Sequence, residues 1–288
     1  MTGATDLYGA LRHAARGLTA AEAEAFLPQF LRALADTPDA ARLQAVDQGL
    51  LRAVIRDGAG LPATRNAAAI VDWLARCDPA PLFQPDLRIA GRMVLRDTAA
   101  GMPAYSDRAF DAWFSAQGVT YGIGPYGEDR RVYRTAQFAD TASPERRTVH
   151  LGIDVFAKAG TPVHAPLAGR VAFVRYNAEP LDYGHTLILE HQAAGVPFWT
   201  LYGHLAASLP GLCRVGDAVA AGQVVAHLGD WDQNGGWAPH LHFQVMTDLL
   251  EQRSGNFFGV GHASLWPVWR AICPDPNLIL RLPESALG

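Results

Sequence analysis

The chain of 288 residues is 49% hydrophobic and 18% charged, enough to close a sizeable core, and no run approaches the roughly 20 apolar residues of a membrane-spanning helix. A net charge of -4, with no basic run longer than Arg-Arg, excludes the phosphate-binding surface of a nucleic-acid protein. Cys77, Cys213 and Cys273 are widely spaced with no C-x-x-C, which excludes a disulfide framework and a cysteine zinc site and fits a reducing compartment.

The amino-terminal Met-Thr-Gly-Ala-Thr-Asp-Leu-Tyr has neither the basic nor the apolar segment of an export signal, so a cytoplasmic protein is expected. From about residue 5 to residue 115, Ala, Leu and Arg recur with helical spacing. Phe26, Phe30, Leu31 and Leu34 fall on one helix face, Thr19-Ala-Ala-Glu22 reads as a capping box, and Pro28 marks a kink or a later start. Further helices are predicted over Leu43 to Ile55 and Ala67 to Leu74, each bounded by Pro or Gly. Together these predict a helical domain over residues 1–117.

The stretch from Tyr121 to Arg130, Tyr-Gly-Ile-Gly-Pro-Tyr-Gly-Glu-Asp-Arg, reads as a loop at the mouth of a site. After Arg147 the pattern changes to short alternating runs separated by Gly and Pro, over 169–175, 186–190, 198–202, 218–228 and 240–246. These predict an antiparallel β domain. The carboxyl-terminal segment, with Trp266-Pro-Val-Trp269 and Cys273-Pro-Asp-Pro276, is too rich in proline for a regular element and reads as an ordered tail. The expected class is therefore α+β, with a mostly antiparallel β domain and its tail over residues 118–288.

The β domain concentrates metal-capable side chains in His150-Leu-Gly-Ile-Asp154, Tyr202-Gly-His204 and Pro239-His240-Leu-His242. Residues two apart on a strand share a face, so His240 and His242 address one cleft. His150 and Asp154 would be about 13 Å apart on an extended strand, so the chain must bend between them, and Gly152 is the expected place. Two imidazoles and a carboxylate suffice for a hydrolytic zinc site with an open position for water. Two histidines then remain to accept a proton and to stabilise an oxyanion. Tyr202, two before His204, is expected on its face as an oxyanion donor. Arg146 and Arg147 are candidates for pairing with a substrate carboxylate, and Trp231 and Trp237 for walls of the cleft.

In these motifs, and in Gly160-Thr-Pro-Val-His-Ala-Pro-Leu-Ala-Gly-Arg-Val171 and Gly216-Asp-Ala-Val-Ala-Ala-Gly-Gln223 between them, the chain resembles the M23 family of zinc metallopeptidases, the lysostaphin or LytM type. The resemblance runs over roughly residues 147–248. It implies one Zn2+ per chain held by His150, Asp154 and His242, with His240 as general base and His204 stabilising the transition state. It also implies a LytM-like β-sheet scaffold and a peptide or amide substrate, typically from peptidoglycan. Gly229 to Ala238 is larger and more aromatic than the family's small-residue loop, which implies an altered groove wall. The Arg146-to-Asp154, Asn234-to-Gln244 and Cys273-to-Leu278 stretches are similar to a subgroup fused to kinase-like and class III aminotransferase domains, implying partner enzymes of those types. The competing reading is a non-catalytic peptide- or protein-binding module that retains the metal. A helical domain lying over the groove would hold the site latent.

Overall fold

The computed structural model describes residues 5–287, so the first four residues of the amino-terminal stretch lie outside the described residues. Five helices come first: α1 (Leu7–Ala14), α2 (Ala20–Ala33), α3 (Pro38–Gln44), α4 (Gln48–Gly58) and α5 (Ala67–Arg76). The capping box is formed, Thr19 and Glu22 bonding reciprocally at the start of α2, and Pro28 lies inside that helix. The helix expected over Leu43 to Ile55 is instead two, α3 and α4, and Asp47 caps the second by accepting from the Leu50 N–H.

The remaining elements are β1 (Arg92–Val94), α6 (Ala109–Ala116), β2 (Tyr121–Gly124), β3 (Val149–His150), β4 (Ile153–Phe156), β5 (Pro162–His164), β6 (Gly169–Asn177), β7 (Gly184–Ala193), β8 (Val196–Leu205), α7 (Leu209–Leu212), β9 (Ala218–Val219), β10 (Val224–His227), β11 (His240–Met246), β12 (Val260–Gly261), α8 (Trp266–Ile272) and α9 (Asn277–Leu280). Eight strands form one sheet in the order β1-β2-β4-β11-β8-β7-β6-β9, antiparallel except for the β1–β2 pair. The fold thus combines amino-terminal helices with a mostly antiparallel sheet. The short pairs β5–β10 and β3–β12 lie outside the main sheet.

Alternation along β4 and β11 separates two faces. Ile153, Val155, Leu241, Phe243 and Val245 enter one apolar core with Ile70 and Leu74 of α5 and Ile279 of α9. On the other face, Leu201 and Met246 join a second core with Leu11, Leu27, Leu50 and Val54 of the amino-terminal helices and Val268 and Trp269 of α8. The helices therefore lie on the sheet, and β1, which precedes Gly118, forms its edge.

Two expectations are corrected. Tyr121–Gly124 is not loop but strand, paired with β4 so that Gly124 faces Asp154. A methyl at Gly124 would lie 2.6 Å from Arg130 Nη2 and 3.1 Å from Asp154 Cβ, so glycine here serves close packing rather than a turn. The carboxyl-terminal segment is not irregular: it holds α8 and α9. Pro267 sits in the first turn of α8, where an amide N–H has no partner to lose, and Pro276 occupies the N-cap of α9.

A candidate metal centre at a cavity

Strand register sets the centre of the site. His242 on β11 lies directly opposite Asp154 on β4, and on its other side opposite Gly203 on β8. Cross-strand partners share a face, so carboxylate and imidazole meet, with His242 Nδ1 3.1 Å from Asp154 Oδ1. The chain bends at Gly152, between β3 and β4, and brings His150 Nε2 to 3.2 Å from the same oxygen. A methyl at Gly152 would lie 2.6 Å from His242 Cε1, so the bend also needs a residue without a side chain. All three residues are at most 3% exposed.

The outer hydrogen bonds decide what this cluster can hold. His150 Nδ1 lies 2.9 Å from the carbonyl of Pro125, which only accepts, so Nδ1 carries the proton and Nε2 is bare. Gln244 Nε2 donates to the Phe258 carbonyl, leaving Gln244 Oε1 as the acceptor for His242 Nε2–H at 2.8 Å, so His242 Nδ1 is bare as well. The two bare nitrogens are 3.0 Å apart beside a carboxylate oxygen. Three lone pairs converging in a buried space repel unless a cation sits among them, and their donor atoms all lie within 4.8 Å of one another. Burial, with the Arg130 charge second, pushes His150 down to about 4, which keeps that imidazole neutral. Burial alone would raise Asp154, but the Arg130 guanidinium and the contact with His150 hold it well below the usual carboxylate range. The donor set suits zinc.

Arg130, which sequence reasoning missed, completes the surroundings. Its Nη1 donates to Asp154 Oδ2 at 2.6 Å and its Nε to Glu128 Oε2 at 2.8 Å. The signal available was the charged Glu128-Asp-Arg130 run directly after a Gly-Pro-Tyr-Gly turn.

His240 and His204 stand beside the cluster with ring centroids 4.2 Å apart. His240 stacks on Phe156, and its Nε2 is 3.9 Å from Asp154 Oδ1. Each donates Nδ1–H to a backbone carbonyl at 2.7 Å, His240 to Ala238 and His204 to Asn234, so both Nε2 atoms are acceptors. Burial lowers both, His204 strongly, and favours the neutral rings. His204 adopts φ 63° at a bulge where the β7–β8 register shifts.

That bulge overturns the expectation for Tyr202. The period of two fails across it, so Tyr202 points into the opposite core, against Phe243, with its OH 3.2 Å from Thr200 Oγ1. It lines no part of the cavity. Arg146 is exposed on the surface away from the cavity, whereas Arg147 lines it. Trp231 packs onto α6, donating Nε1–H to Asp111 at 2.8 Å, instead of walling the cleft. Trp237 is a wall, 6.2 Å edge-on from the His204 ring. The cavity is about 300 Å³, and Tyr105, Tyr133, Phe156 and Trp237 form its aromatic sides. No residue of α1 to α5 lines it.

Residues 148–254 match the family model of Peptidase family M23, so this stretch carries an M23-type domain; Arg130 and Arg147 lie outside it. Among curated relatives, an uncharacterized metalloprotease of Haemophilus influenzae is 31% identical over 158 residues, 52% of this chain and 31% of its own. A DD-carboxypeptidase/endopeptidase Mpg of Neisseria meningitidis is 34% identical over 97 residues, 34% of this chain and 20% of its own. The chain therefore spans about a third or less of the length of these relatives. Among solved structures, the catalytic domain of lysostaphin from Staphylococcus simulans is 24% identical with a TM-score of 0.33, covering 54% of this chain and 96% of that one. No helix among the described residues is long and apolar enough to cross a membrane.

Proposed function

We propose that the chain is a zinc-dependent hydrolase that cleaves a peptide or amide bond with water. The observation that carries this is the convergence of His150 Nε2, Asp154 Oδ1 and His242 Nδ1, three bare acceptors at the edge of a cavity large enough for a substrate segment. Three protein ligands, two of them (Asp154 and His242) lining a cavity, are the arrangement of a catalytic rather than a structural zinc, which normally has four. When bound, the metal would polarise the scissile carbonyl and acidify a water.

The remaining roles belong to side chains. His240 Nε2, bare and beside Asp154, accepts the proton of the attacking water. His204 Nε2 is also bare, so it donates to the developing oxyanion only after receiving the proton that His240 has taken from the water, the two ring centroids lying 4.2 Å apart. Trp237, Tyr133 and Phe156 limit water around the reacting bond. In this reading residues 118–288 carry the chemistry, and residues 1–117 add the covering helices, the edge strand β1 and one cavity wall, Tyr105.

The M23-type domain and the named activities of the Neisseria relative bring peptidoglycan-derived peptides first into the substrate class. Three free cysteines fit action in the cytoplasm, where partner enzymes of kinase or aminotransferase type would supply or consume the substrate. The test is metal analysis of the full chain together with incubation on cell-wall peptides and cytosolic amides, read by mass. One zinc per chain and a hydrolysed product are expected; a zinc-loaded protein that cuts neither class would sink the hydrolase reading.

A further inference from the structure

Arg147 lines the cavity, and its guanidinium has no hydrogen-bond or ion-pair partner among the described residues. Its backbone is pinned by the N–H bond to the Phe138 carbonyl at 3.0 Å, three residues before His150. Its guanidinium lies over the Phe258 ring at 5.5 Å, and both residues line the same cavity as Asp154 and His242 of the cluster. Its Nε is buried with no hydrogen-bond partner, and its side chain makes no ion pair among the described residues. The nearby acids are engaged elsewhere. Asp140 accepts from Tyr8 OH at 3.0 Å and the Ala142 N–H at 2.7 Å and stands 3.3 Å from His262 Nε2. Asp182, also at the cavity, accepts from the Tyr183 N–H and from Asn256 Nδ2. A half-buried cation with a buried open donor is unfavourable unless an anion completes it, and a guanidinium fork matches a carboxylate.

We propose that Arg147, resting on Phe258, forms a subsite for a carboxylate of the substrate, so that the site prefers peptides carrying a free acid near the cleaved bond. The proposal rests on the reading of the neighbouring cluster as a hydrolytic metal site. That acid is either the carboxyl terminus or an acidic side chain; both present the same planar anion. A cavity of about 300 Å³ is small, at the lower end of ligand pockets, which sets the acid within about a residue or two of the metal centre.

The experiment measures binding by calorimetry on the zinc-loaded full chain carrying His240→Ala, so that no probe is consumed. The probes are acetyl-alanyl-D-alanyl-D-alanine, its carboxamide, and that carboxamide with glutamate in place of the first alanine. At least one acid is expected to bind about tenfold to a hundredfold more tightly than the neutral peptide, the range of a charge-assisted hydrogen-bonded pair. Which acid gains identifies the source. The preference should vanish in Arg147→Met and survive in part in Arg147→Lys, with zinc content and thermal unfolding unchanged. Equal binding of all three probes, no binding at millimolar concentration, or a preference that persists in Arg147→Met because the metal captures the acid, would each overturn the assignment. A chain that binds acids through Arg147 yet cuts no peptide leaves the subsite standing and removes only the hydrolase reading.

Discussion

Arg130 Nη1 donates to Asp154 Oδ2 at 2.6 Å, with the two side chains 1% and 3% exposed, while the other carboxylate oxygen faces His150 and His242. One oxygen is thus held by the protein and the other turned toward the metal position. Arg130→Met removes the holder and leaves a buried carboxylate without its counter-charge. Stability of the metal-free protein should fall by about 3–5 kcal/mol, and zinc affinity by roughly tenfold to a hundredfold, read by denaturant unfolding and chelator competition. Unchanged zinc affinity would mean that Arg130 serves folding alone.

The roles given to His240 and His204 separate from those of the ligands in a simple pair of measurements. Neither ring contributes to the three converging acceptors, so His240→Ala and His204→Ala should keep one zinc per chain. Turnover should drop by about 10²–10⁴ for His240→Ala, the usual contribution of a general base. Loss of stoichiometric zinc in the His240 variant would make that residue a ligand.

Gly152 tests how tightly the bend is built. A methyl there would lie 2.6 Å from His242 Cε1 and 2.8 Å from the Phe243 carbonyl, which is backbone and cannot swing away. Gly152→Ala should destabilise the fold by about 1–3 kcal/mol and weaken zinc binding together. Gly211→Ala, where nothing lies within 4 Å of the added methyl, is the control. Normal zinc binding by the Gly152 variant would show that the ligands tolerate a shift at this point.

Much of this site was readable because its rules are local. The capping box of α2 obeys nearest-neighbour chemistry, and His240 and His242 share a face because a strand has period two. The same rule misplaced Tyr202, since the bulge at His204 resets the alternation and leaves no mark in the sequence. Pro267 read as a breaker because its effect depends on falling in the first turn of α8 rather than later. Arg130 was missed for another reason: its burial is decided by Asp154, which meets it only after β2 and β4 pair, and the Glu128-Asp-Arg130 run alone does not show that.

His191 makes stability depend on pH outside the site. It is 2% exposed, with Nδ1 donating to the Ala168 carbonyl at 2.8 Å and Nε2 2.8 Å from Thr200 Oγ1, and burial pushes it down to about 4. Its unfolded value is near 6.5, so between about pH 6.5 and 4 the unfolded chain binds a proton that the folded chain refuses, and stability falls as pH falls through that window. Unfolding free energy should drop by about 2 kcal/mol from this group between pH 7 and 5. Because other buried histidines act in the same direction, the readout is the difference between the wild type and His191→Gln, whose pH slope should be shallower. Identical slopes would show that His191 is protonated in the folded protein.

Removing the metal should expose the repulsion among His150 Nε2, Asp154 Oδ1 and His242 Nδ1. Zinc at about a thousandfold above its dissociation constant should stabilise the fold by about 4 kcal/mol relative to chelator-treated protein, a rise in unfolding temperature of roughly ten degrees for a chain of this size. Magnesium, which prefers six oxygen ligands, should not reproduce it. His242→Ala should abolish the rise, because two donors remain and one of them, His150 Nε2, loses its neighbour at 3.0 Å. His240→Ala should preserve it. A zinc-dependent rise of the same size in His242→Ala would place the ion elsewhere, and equal unfolding temperatures with zinc and with chelator would mean that the three acceptors do not meet around a cation.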